Sequence, residues 1–214
     1  MGKKALMAAA ILSAIATPAI AGTLDISVTD QMGMPAANAV VELVPDASRE
    51  AGPSHVPMKA VIDQRHETFI PLVSLIAKGG DIVFTNNDTT MHEVYSFSAI
   101  KQFEFEIDEG RHSEPVVFDK PGVAAIGCNI HDQMITYVYV AASPFAAITD
   151  ASGHAVFSGL PQGQYHAQIW HPQLWPGDHA PSHPLTVDAQ SQSQTFALNL
   201  MPPPAKRPMH MGGY

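Results

Sequence analysis

Large apolar and polar residues alternate along much of this chain with the two-residue period of a β-strand. In the segment QFEFEI, residues 102–107, apolar side chains occupy the odd positions and polar side chains the even positions. This pattern predicts a strand with one buried face and one solvated face. After residue 21, no segment keeps the spacing of an amphipathic helix over several turns.

Turn signals rich in glycine and aspartate separate further short apolar runs. Turns are predicted at residues 78–80, 108–110 and 119–122. The strands predicted around them are 82–86, 102–107, 116–118, 123–128 and 135–140. So many short strands of antiparallel character predict an all-β chain built as a β-sandwich.

A loop between two of these strands contains the single cysteine of the chain. The sequence GCNIHDQM, residues 127–134, places His131 three residues after Cys128 and Met134 three residues after His131. His92, in FTNNDTTMHEVYS, follows the strand 82–86 and therefore also lies at a strand end. A thiolate, two imidazoles and a thioether that converge at one end of a sandwich are the ligands of a blue-copper electron-transfer site.

Other uses of the same residues fit less well. Zinc prefers a harder fourth ligand than a thioether, and structural zinc sites usually contain more cysteines. Covalent haem attachment needs a second cysteine in C-x-x-C-H, and a cysteine nucleophile needs a base in a geometry unlike a strand-to-strand loop. The remaining alternative is a buried core thiol at Cys128, with His131 on the surface and Met134 filling the core.

The first 21 residues predict export. Lys3 and Lys4 precede an apolar run that ends in residues 19–21, AIA, the layout of a secretory signal peptide, and we expect cleavage before Gly22. The run is shorter than the roughly 20 residues that span a bilayer, so stable membrane insertion is not expected. The mature protein is then periplasmic, where an accessible free thiol would be oxidised. Cys128 is therefore expected to be either buried or occupied by a ligand.

The charge of the mature chain restricts its partners. Without residues 1–21, nine Lys and Arg face twenty Asp and Glu, which gives a formal charge of −11. Nucleic acid and anionic lipid bind basic faces, so neither is an expected partner. A basic redox protein suits this charge better, although acidity also serves solubility.

The segments DIVFTNNDTTMHEVYSFS and PGVAAIGCNIHDQMITYVYV resemble the two copper-binding motifs of the cupredoxins, the group of plastocyanin, pseudoazurin and amicyanin. The resemblance covers about residues 56–142, and the two-residue gap between His131 and Met134 is similar to the short amicyanin loop. It implies one type 1 copper held by His92, Cys128, His131 and Met134. Such a protein is not an enzyme, and it carries single electrons between redox partners that the sequence does not identify.

The whole chain also resembles exported bacterial cupredoxin-like proteins labelled methylamine utilisation proteins, a label that establishes no role in methylamine oxidation.

One position departs from the family pattern. Plastocyanin-like proteins usually have an asparagine directly after the first histidine, where its amide braces the copper-bound sulfur, and this chain has Glu93 there. Asn129, directly after Cys128, is the candidate to replace that amide. A Glu93 carboxylate that points inward would favour Cu(II) and lower the reduction potential.

The loop histidine, His131, is the ligand expected nearest to solvent and therefore the expected electron port. We expect Ile130, Met91 and Pro71 to form an apolar rim around it, although each residue could equally be ordinary packing. Weak redox encounters bury little area, so no large docking motif is expected in the sequence.

Two further segments resemble carboxypeptidase-regulatory-like domains, which are small transthyretin-like sandwiches. Residues 24–46 resemble the opening strands of these domains and residues 146–172 their closing half. Neither segment alone supplies enough strands for a closed core, so we expect them to fold together around an inserted copper domain. The competing picture adds an N-terminal strand pair to the cupredoxin sheet and leaves a separate C-terminal sandwich. The expected division is a signal peptide at 1–21, the first part of the sandwich at 22–52, the cupredoxin domain at 53–143, the second part at 144–200 and a disordered tail at 201–214.

Two other functions remain open from the sequence. The transthyretin-like module favours surface binding, with copper in a structural role. Copper storage or delivery would use the histidines of WHPQLWPGDHAPSHP or the soft donors of the tail, because thioethers and imidazoles bind copper. These candidate donors are His171, His179, His183 and Met209-His210-Met211.

Overall fold

The computed structural model describes residues 22–46, 54–177 and 181–202. Sixteen strands form the regular structure of these ranges, and no helix occurs in them, so the predicted all-β class is confirmed. Within the same ranges, no helix is long and apolar enough to cross a membrane. The strands are β1 (Leu24–Asp30), β2 (Val40–Pro45), β3 (Lys59–Gln64), β4 (Phe69–Ile70), β5 (Val73–Ala77), β6 (Asp81–Asn86), β7 (His92–Ser98), β8 (Lys101–Ile107), β9 (Val116–Val117), β10 (Gly122–Cys128), β11 (Ile135–Ala141), β12 (Ala146–Ile148), β13 (His154–Phe157), β14 (Gly163–Trp170), β15 (Ser182–Val187) and β16 (Gln192–Leu198).

The strands form four sheets. The strand orders are β4-β3-β6-β9 in the first sheet, β5-β11-β10-β7-β8 in the second, β12-β2-β14-β15 in the third and β13-β1-β16 in the fourth. Clusters of buried apolar side chains join the first sheet to the second, the second to the third and the third to the fourth. The sheets therefore pack as four layers, each contact being made by alternate side chains of the facing strands.

The first and second sheets enclose the core that carries the candidate site. Phe84 of β6, Ile126 of β10 and Phe118 are fully buried there, and each such side chain contributes roughly 1.5–3 kcal/mol by its removal from water. Strand β6 runs parallel to β3, with Gln64 opposite Asn86 at the last pair of the register. Both strands therefore end at the same edge of the sheet, and the loops that follow them are neighbours.

Strand β11 is buried on both faces. Val138 and Val140 pack in the core between the first and second sheets, whereas Tyr139 packs in the cluster between the second and third. Trp170 of β14 approaches this second face, with its ring centroid 5.9 Å from that of Tyr139. Burial on both faces explains why this strand has an almost continuous apolar sequence.

The first two strands pair with strands that come late in the chain. Strand β1 is antiparallel to β13 and parallel to β16, and β2 is antiparallel to both β12 and β14. Among the described strands, neither β1 nor β2 is hydrogen-bonded to a strand between β3 and β11. The third and fourth sheets thus combine the two ends of the chain, whereas the first and second sheets come from its middle.

The predicted strands agree closely with the observed ones. Those predicted at 82–86, 102–107, 116–118, 123–128 and 135–140 correspond to β6, β8, β9, β10 and β11, with ends that differ by one residue at most. The signal peptide predicted at 1–21, residues 203–214 of the predicted tail, and His179 lie outside the described residues.

Candidate metal centre

Two strand ends and one loop meet at the edge of the core between the first and second sheets. His92 is the first residue of β7, Cys128 is the last residue of β10, and the two strands are antiparallel, with Cys128 opposite Val94. His131 and Met134 lie in the loop between β10 and β11. Backbone hydrogen bonds fix this loop, from the N–H of Asn129 to the carbonyl of Glu93 and from the N–H of Met134 to the carbonyl of His131, each 3.0 Å long.

The structure brings three predicted ligands into one cluster. The Nδ1 of His92 lies 3.6 Å from the Sγ of Cys128 and 3.3 Å from the Nδ1 of His131. Among the described residues, these three form the one group of histidine, cysteine and acidic side chains whose ligand atoms all lie within 4.8 Å of one another. His92 is fully buried, Cys128 is 3% exposed and the side chain of His131 is 21% exposed.

This donor set fits a soft metal ion. Metal–nitrogen and metal–sulfur bonds in protein sites are about 2.0–2.3 Å long, so two ligand atoms of one ion are separated by no more than roughly 4.6 Å. The separations of 3.3 and 3.6 Å are within that limit. Two bare Nδ1 lone pairs this close repel each other unless a proton or a cation lies between them. A thiol with two imidazoles suits copper or zinc far better than a hard cation such as magnesium.

Met134 is also placed at this end of the core. Its side chain is 3% exposed and belongs to the same buried cluster as Cys128. The spacing of three residues from His131 puts the two side chains on one short turn, which the backbone hydrogen bond between them closes. Its thioether is the candidate fourth donor.

A half-buried carboxylate holds the ring of His92. The Nε2 of His92 lies 3.2 Å from the Oδ2 of Asp88, whose side chain is 11% exposed. The same oxygen accepts a 2.6 Å hydrogen bond from the backbone N–H of Glu67. That backbone hydrogen bond first, and His92 after it, keep the pKa of Asp88 below its ordinary value against the opposing effect of burial. The ring therefore donates through Nε2 and leaves Nδ1 free to face Cys128.

The ring of His131 has a carboxylate on its outer side as well. Its Nε2 lies 3.5 Å from the Oε1 of Glu67, a side chain that is 62% exposed. Because the Nδ1 of His131 faces His92, this ring too points one nitrogen into the cluster and the other towards a negative charge.

The sequence predicted that the carboxylate nearest the cluster would be Glu93 and that the amide bracing the sulfur would be Asn129. Glu93 is half-buried in β7, where it is paired with Glu106 of β8. The side-chain amide of Asn129 donates a 2.9 Å hydrogen bond to Glu104. The carboxylates that reach the histidines are Asp88 and Glu67. Asp88 lies four residues before His92, in the loop that leads into β7, and could have been suspected, whereas Glu67 is brought in by contacts between segments that are distant in the sequence.

The three residues of the expected rim are all exposed. Met91 precedes His92 directly, Ile130 precedes His131 directly, and Pro71 lies before β5. The exposed fractions of Met91 and Ile130 are 37% and 43%, which is large for apolar side chains.

The histidines of the second candidate cluster have other partners. His171 is buried, its Nε2 donates a 3.0 Å hydrogen bond to the carbonyl of Ala37, and burial lowers its pKa. The ring of His183 stacks on Phe196 at a centroid distance of 4.6 Å. In the described part of the chain, the ring of His171 thus bonds to the backbone and the ring of His183 packs on an aromatic side chain. The candidate donors of the tail, residues 209–211, lie outside the described residues.

Solved structures supply the comparisons with known proteins. No family model and no curated protein matches this sequence. A purple cupredoxin from Nitrosopumilus maritimus is 23% identical over 38% of this chain and 99% of its own, with a TM-score of 0.35. Amicyanin from Paracoccus versutus is 16% identical over 47% of this chain and 92% of its own, with a TM-score of 0.36. The copper-containing nitrite reductase of Thermus scotoductus is 20% identical over 47% of this chain and 25% of its own, with a TM-score of 0.35. This chain is thus similar to cupredoxins over less than half of its length, and at such TM-scores its function has to be argued from its own residues.

Proposed function

We propose that this protein binds one copper ion through His92, Cys128, His131 and Met134 and carries single electrons between redox partners in the periplasm. The observation that carries this proposal is the convergence of the Cys128 sulfur with the Nδ1 atoms of two histidines in a buried cluster. When bound, copper supplies a one-electron couple between Cu(I) and Cu(II).

The protein residues have separate tasks in this proposal. His92 and Cys128 stand at the ends of paired strands, so their positions are set by the hydrogen bonds of a packed sheet. A site held in this way changes little when its charge changes, because packed interiors resist displacement. Burial of Cys128 excludes water and oxidants from the sulfur, which meets the need of a free thiol in an oxidising compartment. His131, partly exposed, offers the shortest route for an electron to the surface.

A nucleophilic role for Cys128 is less well supported. A cysteine beside a histidine is also the arrangement of a thiol nucleophile. Cys128, however, is 3% exposed, and its sulfur lies 3.6 Å from the Nδ1 of His92, so a substrate in solution has almost no access to it. We therefore propose an electron carrier and not an enzyme.

We further propose that residues 22–52 and 144–200 form a carboxypeptidase-regulatory-like sandwich, with the copper domain of residues 53–143 inserted between them. The pairing of β1 with β13 and β16, and of β2 with β12 and β14, supports this division. The proposal that the protein is exported to the periplasm rests on the signal-peptide pattern of residues 1–21.

The test is the visible spectrum of the mature protein after addition of one equivalent of Cu(II), with Cys128→Ser as the control. An intense blue thiolate-to-copper band is expected in the wild type, absent in Cys128→Ser and bleached reversibly by ascorbate. Copper binding without this band, or equal binding by Cys128→Ser, would contradict the proposal.

The role of Met134 has its own test. Met134→Leu is expected to keep the blue band but to raise the reduction potential, because the axial ligand tunes the potential of such a site. Met58→Leu is the matched control, since Met58 is exposed and its carbonyl bonds to Asp81 at the opposite end of β6. Equal potentials in the two variants would remove Met134 from the ligand set.

A further inference from the structure

The turn between β3 and β4 lies over the metal cluster in an unusual backbone conformation. His66 and Glu67 both have a φ of +53°, and the N–H of Arg65 donates to the carbonyl of Thr68 across the turn. Two successive left-handed residues form the tight turn that hairpins favour, but asparagine and glycine normally occupy it. A histidine and a glutamate adopt it at a cost of about 1–2 kcal/mol each. Contacts elsewhere must therefore hold this turn in place.

Those contacts come from the β6–β7 loop, which precedes His92. The N–H of Glu67 donates to Asp88 at 2.6 Å, and the N–H of Asn87 donates to the carbonyl of Gln64 at 2.9 Å. Just before the turn, Asp63 accepts hydrogen bonds of 2.7 Å from the side chains of both Thr85 and Asn87. The turn is thus fixed to the β6–β7 loop on both sides, and Glu67 has a defined position above the cluster.

From that position, Glu67 contacts His131 directly and His92 through Asp88. The backbone N–H of Glu67 orients Asp88, which holds His92, and its side-chain Oε1 lies 3.5 Å from the Nε2 of His131. At this distance the carboxylate and the ring are in electrostatic contact, and a small rotation of the exposed side chain closes a hydrogen bond. Asp88 and Glu67 together place two negative charges on the outer sides of the two rings.

We propose that Glu67 is a positioning residue of the metal centre, an inference that rests on the proposed function. Its carboxylate holds the Nε2–H of His131 so that Nδ1 faces His92 and Cys128, and its charge favours the more positive oxidation state of a bound metal. By Coulomb's law, a nearby negative charge lowers the reduction potential of the metal. Salt weakens this lowering, because the side chain of Glu67 is exposed.

The first measurement is the reduction potential of the copper-loaded protein at low and at high ionic strength. Glu67→Gln keeps the shape of the side chain and the backbone N–H but removes the charge, and Glu67→Ala removes the whole carboxyl group. Asp119→Asn is the matched charge control, because Asp119 is exposed beside Phe118 at the end of β6 remote from the cluster. Both Glu67 variants are expected to shift the potential upwards, less at high salt, while Asp119→Asn leaves it near that of the wild type. A shift in the Glu67 variants no larger than that of Asp119→Asn would overturn the charge effect.

The second measurement needs no copper. Solvent exchange of the His131 Nε2 proton, followed by NMR at one fixed pH, is expected to be several-fold faster in Glu67→Ala, which removes the acceptor, than in the wild type. Equal exchange would overturn the contact. If the wild type forms no blue band, the proposed function fails, and the exchange comparison still decides whether Glu67 holds His131.

Discussion

The hydroxyl of Tyr139 donates a 2.7 Å hydrogen bond to the Oε2 of Glu42 and so joins the second sheet to the third. The other oxygen of Glu42 accepts a hydrogen bond from the backbone N–H of Ser143, and all three residues are buried. Burial first, and the neighbouring carboxylate after it, raise the pKa of Tyr139 above its ordinary value. The hydroxyl therefore remains a donor at neutral pH, and the buried charge of Glu42 keeps its partner.

Tyr139→Phe is expected to lower the free energy of unfolding by about 1–3 kcal/mol, because it leaves a buried acceptor without its donor. Chemical denaturation measures the loss. Tyr137→Phe is the control, since Tyr137 also packs on Trp170 but its hydroxyl has no hydrogen-bond partner in the described ranges. Equal losses in the two variants would show that the hydrogen bond to Glu42 contributes nothing.

The same pair predicts a dependence of stability on alkaline pH. Because the pKa of Tyr139 is raised in the folded protein, its stabilising effect is complete below the unfolded pKa of about 10 and declines as the pH rises further. The stability advantage of the wild type over Tyr139→Phe should therefore shrink above about pH 10. Denaturation curves at a series of pH values test this, and an advantage that stays constant or grows would contradict it.

Asp88→Asn is expected to weaken copper binding by about 10- to 100-fold, the usual cost when the partner of a ligand histidine is changed. The variant retains an oxygen for the N–H of Glu67 but loses the charge that orients the His92 ring. Competition with a copper chelator of known affinity measures the change. Asp81→Asn, which breaks a 3.7 Å ion pair with Lys59 at the opposite end of β6, should bind copper as the wild type does.

Gly153, in the turn between β12 and β13, is predicted to be less replaceable than Gly159, in the turn between β13 and β14. Its φ is +79°, and a Cβ there would lie 2.5 Å from the carbonyl oxygen of Val28. Gly159 has a φ of +69° but open space around the corresponding position. Gly159→Ala should therefore cost about 1–2 kcal/mol for the left-handed backbone alone, and Gly153→Ala clearly more. Thermal unfolding of both variants gives the comparison, and equal costs would exclude a steric contribution.

Local sequence patterns predicted the strands and part of the candidate centre. The alternation of side chains located β8, and the spacing of Cys128, His131 and Met134 marked a loop whose ends are two paired strands. The position of Asp88 could have been suspected from its spacing to His92, but that of Glu67 was beyond such patterns, because it depends on the parallel register of β3 and β6 and on a turn that neither asparagine nor glycine signals. The side-chain amide of Asn129 donates to Glu104, a partner that no local pattern indicates, since the direction of a side chain at a strand end follows from its neighbours in the sheet.

The burial of β11 on both faces has a consequence for how this sequence can diverge. Val138 and Tyr139 are adjacent in the chain but pack in different clusters, Val138 in the core between the first and second sheets and Tyr139 against the third sheet. Among homologues, substitutions at position 139 should therefore be correlated with those at position 42, and substitutions at position 138 with those in the first sheet. Two interleaved sets of covarying positions would then share one strand, so that each sandwich constrains the evolution of the other.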